Sequence, residues 1–163
     1  MSGPIVSDGG PLHYLILVEC VDAVPALFER ILIPPAVRDE LLHISAPQKV
    51  RNWRGNPPAW LTIEPVTRLH PLASLHKGET AALQLALQTN TLAVLMDDLD
   101  GRAAARRLGL IPIGTVGALE RMAELGIIGL PAAIEKLRQT NFFISPEVLD
   151  AALERDRRRR PEH

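Results

Sequence analysis

The chain has 163 residues and a mass of 17.9 kDa, room for one core and little more. Hydrophobic residues make up 47% and charged residues 23%, and 18 Lys+Arg against 19 Asp+Glu leave a net charge of −1. That excludes a uniformly basic, histone-like surface but not a local basic patch. The single Cys20 excludes a disulfide framework and a multi-cysteine zinc site and suits a reducing cytoplasm. The longest apolar runs fall well short of the ~20 residues of a membrane-spanning helix. Met1-Ser2-Gly3-Pro4 lacks a basic n-region followed by an apolar stretch, so neither a signal peptide nor a membrane partner is expected.

Ile5-Val6-Ser7 reads as a short buried strand that ends at Asp8-Gly9-Gly10-Pro11, with Pro11 opening a helix from Leu12 to about Glu19. A second short helix follows with Asp22 as its N-cap. Arg30 to Ile33 is a second strand, stopped by Pro34-Pro35, which open a helix from Ala36 to His43. Residues 45–60 are rich in Pro, Asn, Gly, Arg and Trp and form the loosest stretch, with room for a short helix near Gln48–Trp53. Leu61 to Val66 is a third strand. Gly78-Glu79-Thr80 starts a strong helix with an acidic first turn, closed by Asn90.

Thr91 to Met96 is a fourth strand, apolar on both faces as a central parallel strand requires. Asp97-Asp98-Leu99-Asp100-Gly101 leads into a helix from Arg102 to Leu108, capped by Gly109, and Ile111-Pro112-Ile113 is a fifth strand. Val116–Leu125, Pro131–Arg138 and Pro146–Arg159 are helical. Strands alternating with helices give an α/β domain on a mostly parallel sheet of roughly five strands, with right-handed crossovers and a helical C-terminal appendage. The division expected is 1–125 for the main domain and 126–163 for a helical extension packed on it.

In an open parallel sheet, ligands bind beyond the carboxyl ends of the strands. Asp8 ends the first strand and Asp97 the fourth, so both belong on that edge. Glu79 lies in the first turn of a helix that starts there. Glu40 stands five residues after Pro35, less than two turns down its helix at ~1.5 Å per residue. Each acid taken alone has an ordinary structural role: Asp8, Asp97, Asp98 and Asp100 as helix caps, Glu40 as a surface residue, Glu79 as a favourable first-turn charge. Four of them on one edge is a different matter. Clustered carboxylates need a cation or protons among them, and an all-oxygen set suits Mg²⁺ or Mn²⁺. A cation held this way binds phosphodiester oxygens and acidifies water.

Read in order, Ile5-Val6-Ser7-Asp8 with Pro11-Leu12, Ile33-Pro34-Pro35-Ala36-Val37 with Glu40-Leu41, Leu75-His76-Lys77-Gly78-Glu79-Thr80-Ala81-Ala82, Val94-Leu95-Met96-Asp97-Asp98, Gly101 to Arg106 and Gly114-Thr115-Val116-Gly117 make the chain resemble PIN-domain proteins. The likeness covers roughly residues 4–125 and points to the branch near the toxin nucleases of VapBC-type toxin–antitoxin pairs. It implies a three-layer α/β/α sandwich and a Mg²⁺- or Mn²⁺-dependent endoribonuclease held inactive by a small antitoxin protein; the residues themselves add the expectation of a cytoplasmic homodimer. By position it assigns Asp8, Glu40, Glu79 and Asp97 to the metal, with Asp98 as the close alternative for the fourth site or a catalytic group beside it. Thr115 takes the place of a supporting polar residue. Two departures stand out: many relatives carry a hydroxyl residue where this chain has Gly9-Gly10, and many carry Asp at the third site, here Glu79. The first keeps a competing reading open, a PIN-fold module that binds nucleic acid or protein with little catalysis.

Arg102 and Arg106, four apart on one helix, can reach a phosphate backbone or simply form a solvated basic face. The Arg155–Arg160 run reads as a frayed, solvated terminus more than as a grip on RNA. Trp53 and Trp60 read as anchors of the loose loop more than as stacking platforms. His13, His43, His70, His76 and His163 show no metal-ligand spacing, and His76, near Glu79, reads by default as a helix cap or a solvated side chain, with a substrate contact as the alternative. Leu125, Ile127, Ile128, Leu130, Phe142 and Phe143 are either a dimer or partner surface or internal core. Asp98 and Asp100 also have the two-residue spacing of haloacid-dehalogenase-type phosphatases, but Arg102 stands in place of the usual hydroxyl residue.

Overall fold

The computed structural model of the chain describes residues 3–160 except 44, 55, 69–71 and 73, together with the backbone but not the side chain of Arg54. His70 and His163 therefore lie outside the described residues. Five strands, β1 (Ile5–Ser7), β2 (Ile31–Ile33), β3 (Leu61–Ile63), β4 (Ala93–Leu95) and β5 (Ile111–Ile113), form one all-parallel sheet in the order β3-β2-β1-β4-β5. The central strands β1, β2 and β4 are wholly buried, which is why, apart from Ser7 at the end of β1, they are apolar throughout. The edge strands β3 and β5 are partly exposed, and Pro112 is tolerated in β5 because an edge strand has a neighbour on one side only.

The period-two alternation of strand side chains divides the core in two. Ile5, Ile31, Ile33, Ala93 and Leu95 point to one face, Val6, Leu32, Val94 and Met96 to the other. The second face is covered by α5 (Lys77–Gln88) and α6 (Leu99–Arg107), through Ala82, Leu83, Leu85, Ala86, Ala104 and Ala105. The first face is covered by α1 (Gly9–Leu17), α2 (Val24–Leu27), α3 (Pro35–Leu41), α4 (Gln48–Arg51), α7 (Thr115–Glu124), α8 (Leu130–Arg138) and α9 (Pro146–Arg159). The result is a three-layer α/β/α sandwich. Ile134 and Leu137 of α8 and Leu149 and Ala152 of α9 belong to the same core as Leu15 of α1 and Leu119 of α7.

Several local expectations shift. The first helix begins at Gly9 and not at Leu12, which places Pro11 in its first turn. A proline is tolerated there because first-turn N–H groups have no intrahelical partner. Asp22 does not cap a helix; it lies inside a 3₁₀ turn, Val21–Ala23, that runs straight into α2. The helix after β3 begins at Lys77, with His76 as its N-cap. Asn90 (φ 54°) and Gly109 (φ 79°) do close α5 and α6. In both, the following N–H reaches back to the helix, Thr91 to Ala86 and Leu110 to Ala105, each at 2.9 Å. This is the left-handed termination that turns a helix sharply into the next strand.

The arginine run does not fray. It stays helical to Arg159, and its members pair with Glu120, Glu124, Glu154 and Asp156 on α7 and α9. Trp53 and Trp60 pack edge-to-face at 5.7 Å against the larger core, the anchoring role expected of them. Of the apolar C-terminal residues, Leu130 is core, Ile128 and Phe142 are partly buried against it, and Leu125, Ile127 and Phe143 are exposed. No single helix among the described residues is long and apolar enough to cross a membrane.

Candidate metal centre

The strand order reverses direction between β1 and β4: the chain moves outward from β1 through β2 to β3, then resumes on the other side with β4 and β5. The helices that follow β1 and β4 diverge there and leave a crevice at the carboxyl ends of both strands. Asp8 is the residue after β1, and its N–H donates to Leu95 O of β4 at 2.9 Å. Asp97 stands two residues after β4. The two therefore flank the crevice for a purely topological reason.

Asp8 is 5% exposed and sits at the N-cap position of α1, yet its carboxylate makes no capping hydrogen bond and Oδ1 has no partner. Glu79, in the first turn of α5, is 3% exposed, and its Oε2 likewise has no partner. Oε1 of Glu79 lies 2.7 Å from Nε2 of His76. Among the described residues, Asp8, His76 and Glu79 each bring one potential ligand atom within 4.8 Å of the others. His76 thus fulfils the capping role expected of it, accepting the Glu79 N–H at 3.2 Å, and it also stands in the site, which the sequence offered only as the lesser alternative of a substrate contact beside Glu79. The only hint was its position three residues before an acidic residue at a helix start.

Glu40, near the end of α3, is half-exposed at the rim of this group, with Oε1 3.6 Å from His76 Nδ1, too long for a hydrogen bond. Its carboxylate lies against two glycines. A Cβ at Gly9 would come within 2.8 Å of Glu40 Oε2, and one at Gly78 would overlap Oε1. The Gly9 departure thus has a local cause, since a side chain there would displace Glu40.

Asp97 is tied down from β5's side of the sheet. Oδ1 accepts the Thr115 N–H at 2.7 Å and Oδ2 the Thr115 hydroxyl at 2.6 Å, and Thr115 is completely buried. Asp98 is exposed and occupies the N-cap position of α6 without a capping hydrogen bond. The four expected metal residues and Asp98 come from four segments to one end of the sheet, with Asp8 and Glu79 at its buried centre, Glu40 at one side and Asp97 and Asp98 at the other.

The electrostatics agree. Burial pushes the Asp8 carboxyl above its ordinary value, offset in part by the Gly9 N–H and His76 and reinforced by Asp97 and Asp98. Burial raises Glu79 to about 7, opposed by His76 and reinforced by Asp98 and Asp8. Burial and the Asp8 charge raise Glu40. Burial raises Asp97 against the two Thr115 donors and Arg102. Among the described residues, no Lys or Arg forms an ion pair with any of these acids. Arg102 instead donates Nη1 to Met96 O at 3.0 Å, which holds its guanidinium at the end of β4.

A groove of about 1070 Å³ leads away from Asp97 and Asp98, with Arg102, Arg106, Phe142 and Phe143 along it. Tyr14 of α1 was not anticipated as part of this region: its phenol is raised by burial and by Asp97, its hydroxyl donates to Asn141 at 2.8 Å, and its ring packs on Phe142.

A family model described as a PIN domain (DUF3368) matches residues 4–157, nearly the whole chain. The chain belongs to the PIN-domain family. The PIN domain is a nuclease-type fold whose members are typically dependent on divalent metal ions. The match runs beyond the resemblance visible at residues 4–125 and takes in α8 and most of α9. No curated protein and no solved structure matches the chain.

The residues of this PIN domain fit a hard divalent cation. A buried carboxylate oxygen without a hydrogen-bond donor is costly, and two of them, Asp8 Oδ1 and Glu79 Oε2, belong to carboxylates of one small group. Oxygen donors of this kind are the ligands such cations prefer.

Proposed function

We propose that this PIN domain is a Mg²⁺- or Mn²⁺-dependent endoribonuclease that hydrolyses RNA phosphodiester bonds. The observation that carries the reading is the pair of unpartnered buried carboxylate oxygens, Asp8 Oδ1 and Glu79 Oε2, at the switch point of a parallel sheet. In this reading Asp8 and Glu79 hold the cation, with Glu40 and Asp97 completing the acidic set. The cation, when bound, polarises a phosphodiester oxygen and acidifies water. The chain's own residues do the rest. Thr115 fixes both oxygens of Asp97. Asp98, exposed at the mouth of the site, is positioned to take a proton or to contribute an oxygen.

Arg102 and Arg106, one turn apart on α6 and facing the groove, meet the RNA backbone by charge-assisted hydrogen bonds. Their charge offsets the acidic cluster, which otherwise repels a polyanion. The setting proposed is a cytoplasmic toxin restrained by a small antitoxin protein, with exposed Leu125, Ile127 and Phe143 as apolar surface for a second copy or for that partner.

The test is incubation of metal-stripped protein with end-labelled single-stranded RNA, with and without Mg²⁺ or Mn²⁺, alongside Asp8→Asn. Internal cleavage that requires the cation and is lost in the folded Asp8→Asn protein is the expected result. RNA that is bound but never cut under either cation would make this chain a binding module.

A further inference from the structure

His76 touches Glu79 twice. Its Nδ1 accepts the Glu79 backbone N–H at 3.2 Å, so the Nδ1 lone pair is engaged and the neutral ring carries its proton on Nε2. That Nε2–H is the group 2.7 Å from Glu79 Oε1. One imidazole therefore clamps both the main chain and the carboxylate of a single residue. A glutamate has three side-chain torsions and is an imprecise ligand unless something holds it; here the clamp fixes Oε1 and leaves Oε2 as the oxygen without a partner. The same tautomer argues against His76 as a ligand: with Nδ1 accepting and Nε2 protonated, neither nitrogen has a lone pair to offer unless the helix cap is broken.

We infer that His76 is a positioning residue for the metal site, orienting Glu79 from outside the ligand set. The inference rests on the cation-binding reading above.

Cap and clamp can be separated. Asparagine is as good an N-cap as any residue, so His76→Asn keeps the bond to the Glu79 N–H but loses the one to its carboxylate, whereas His76→Ala loses both. The experiment titrates Mn²⁺ into metal-stripped full-length protein by calorimetry and records thermal melting of the metal-free forms. The expected result is a melting temperature kept in His76→Asn and lowered in His76→Ala, with Mn²⁺ affinity weakened roughly 10- to 100-fold in both, the usual loss when a ligand's supporting hydrogen bond goes. The echo modulation of Mn²⁺ bound to the parent protein should carry no coupling to a directly bonded imidazole nitrogen. Parental Mn²⁺ affinity in His76→Asn would reduce His76 to a helix cap, and a bonded imidazole nitrogen would make it a ligand; either overturns the inference alone. A parent protein that binds no Mn²⁺ overturns the cation reading and this inference with it.

Discussion

The four acids of the site solve one problem in different ways. Asp97 is satisfied by Thr115 and Glu79 in part by His76, while Asp8 Oδ1 and Glu79 Oε2 are satisfied by nothing among the described residues. Glu40 depends on the absence of side chains at Gly9 and Gly78. Gly78→Ala should therefore separate fold from function. Alanine is the better helix former by up to about 1 kcal/mol, and the atom it meets is the far end of a half-exposed side chain that can swing aside. Urea unfolding should show metal-free stability unchanged or raised, while calorimetry shows weaker Mn²⁺ binding. The convergence of Asp8, Glu79 and Asp97 was legible in the sequence because each is tied to a strand end or a helix start, and backbone topology alone brings such points together; Glu40, near the end of α3, reaches the same edge because that helix has only 7 residues. The double contact of His76 and the approach of Tyr14 to Asp97 were not legible, because both depend on side-chain directions across elements far apart in sequence.

Among the elements, the strands were the most legible, since wholly buried parallel strands are apolar on both faces and their ends carry turn residues. Helix starts were less so: α1 opens earlier than Pro11 suggests because a first-turn proline costs nothing, and Asp22 could cap only if the helix began where the 3₁₀ turn does not let it. Helix ends were read correctly from Asn90 and Gly109, and that reading carries an energetic consequence. Asn90→Ala forces a residue with a Cβ and no local hydrogen bond into the left-handed region and should cost about 1 kcal/mol in urea unfolding. Asn90→Gly should be neutral or stabilising. The charge run on α9 was misjudged from composition, because its partners Glu120 and Glu124 lie on α7 and show up only once the two helices pack.

For the molecule as a whole, the acidic end of the sheet sets the response to pH. Glu79 titrates at about 7 in the folded chain against an ordinary 4.5, so the folded state holds its proton more tightly than the unfolded state does. The stabilisation this gives is fully present below pH 4.5 and is lost as the pH rises through about 7. Metal-free protein should accordingly melt at a lower temperature at pH 8 than at pH 5.5, with Asp8 and Glu40, both raised, acting in the same direction. Divalent cations need the deprotonated acids, so the rise in melting temperature on adding Mn²⁺ should be large at pH 8 and small at pH 5.5. The most direct test of the account is anomalous X-ray diffraction from crystals of the full chain soaked in Mn²⁺. The account predicts an anomalous peak bonded to Asp8 Oδ1 and Glu79 Oε2, absent from Asp8→Asn crystals; well-ordered crystals with no peak between these two side chains at saturating Mn²⁺ would contradict it.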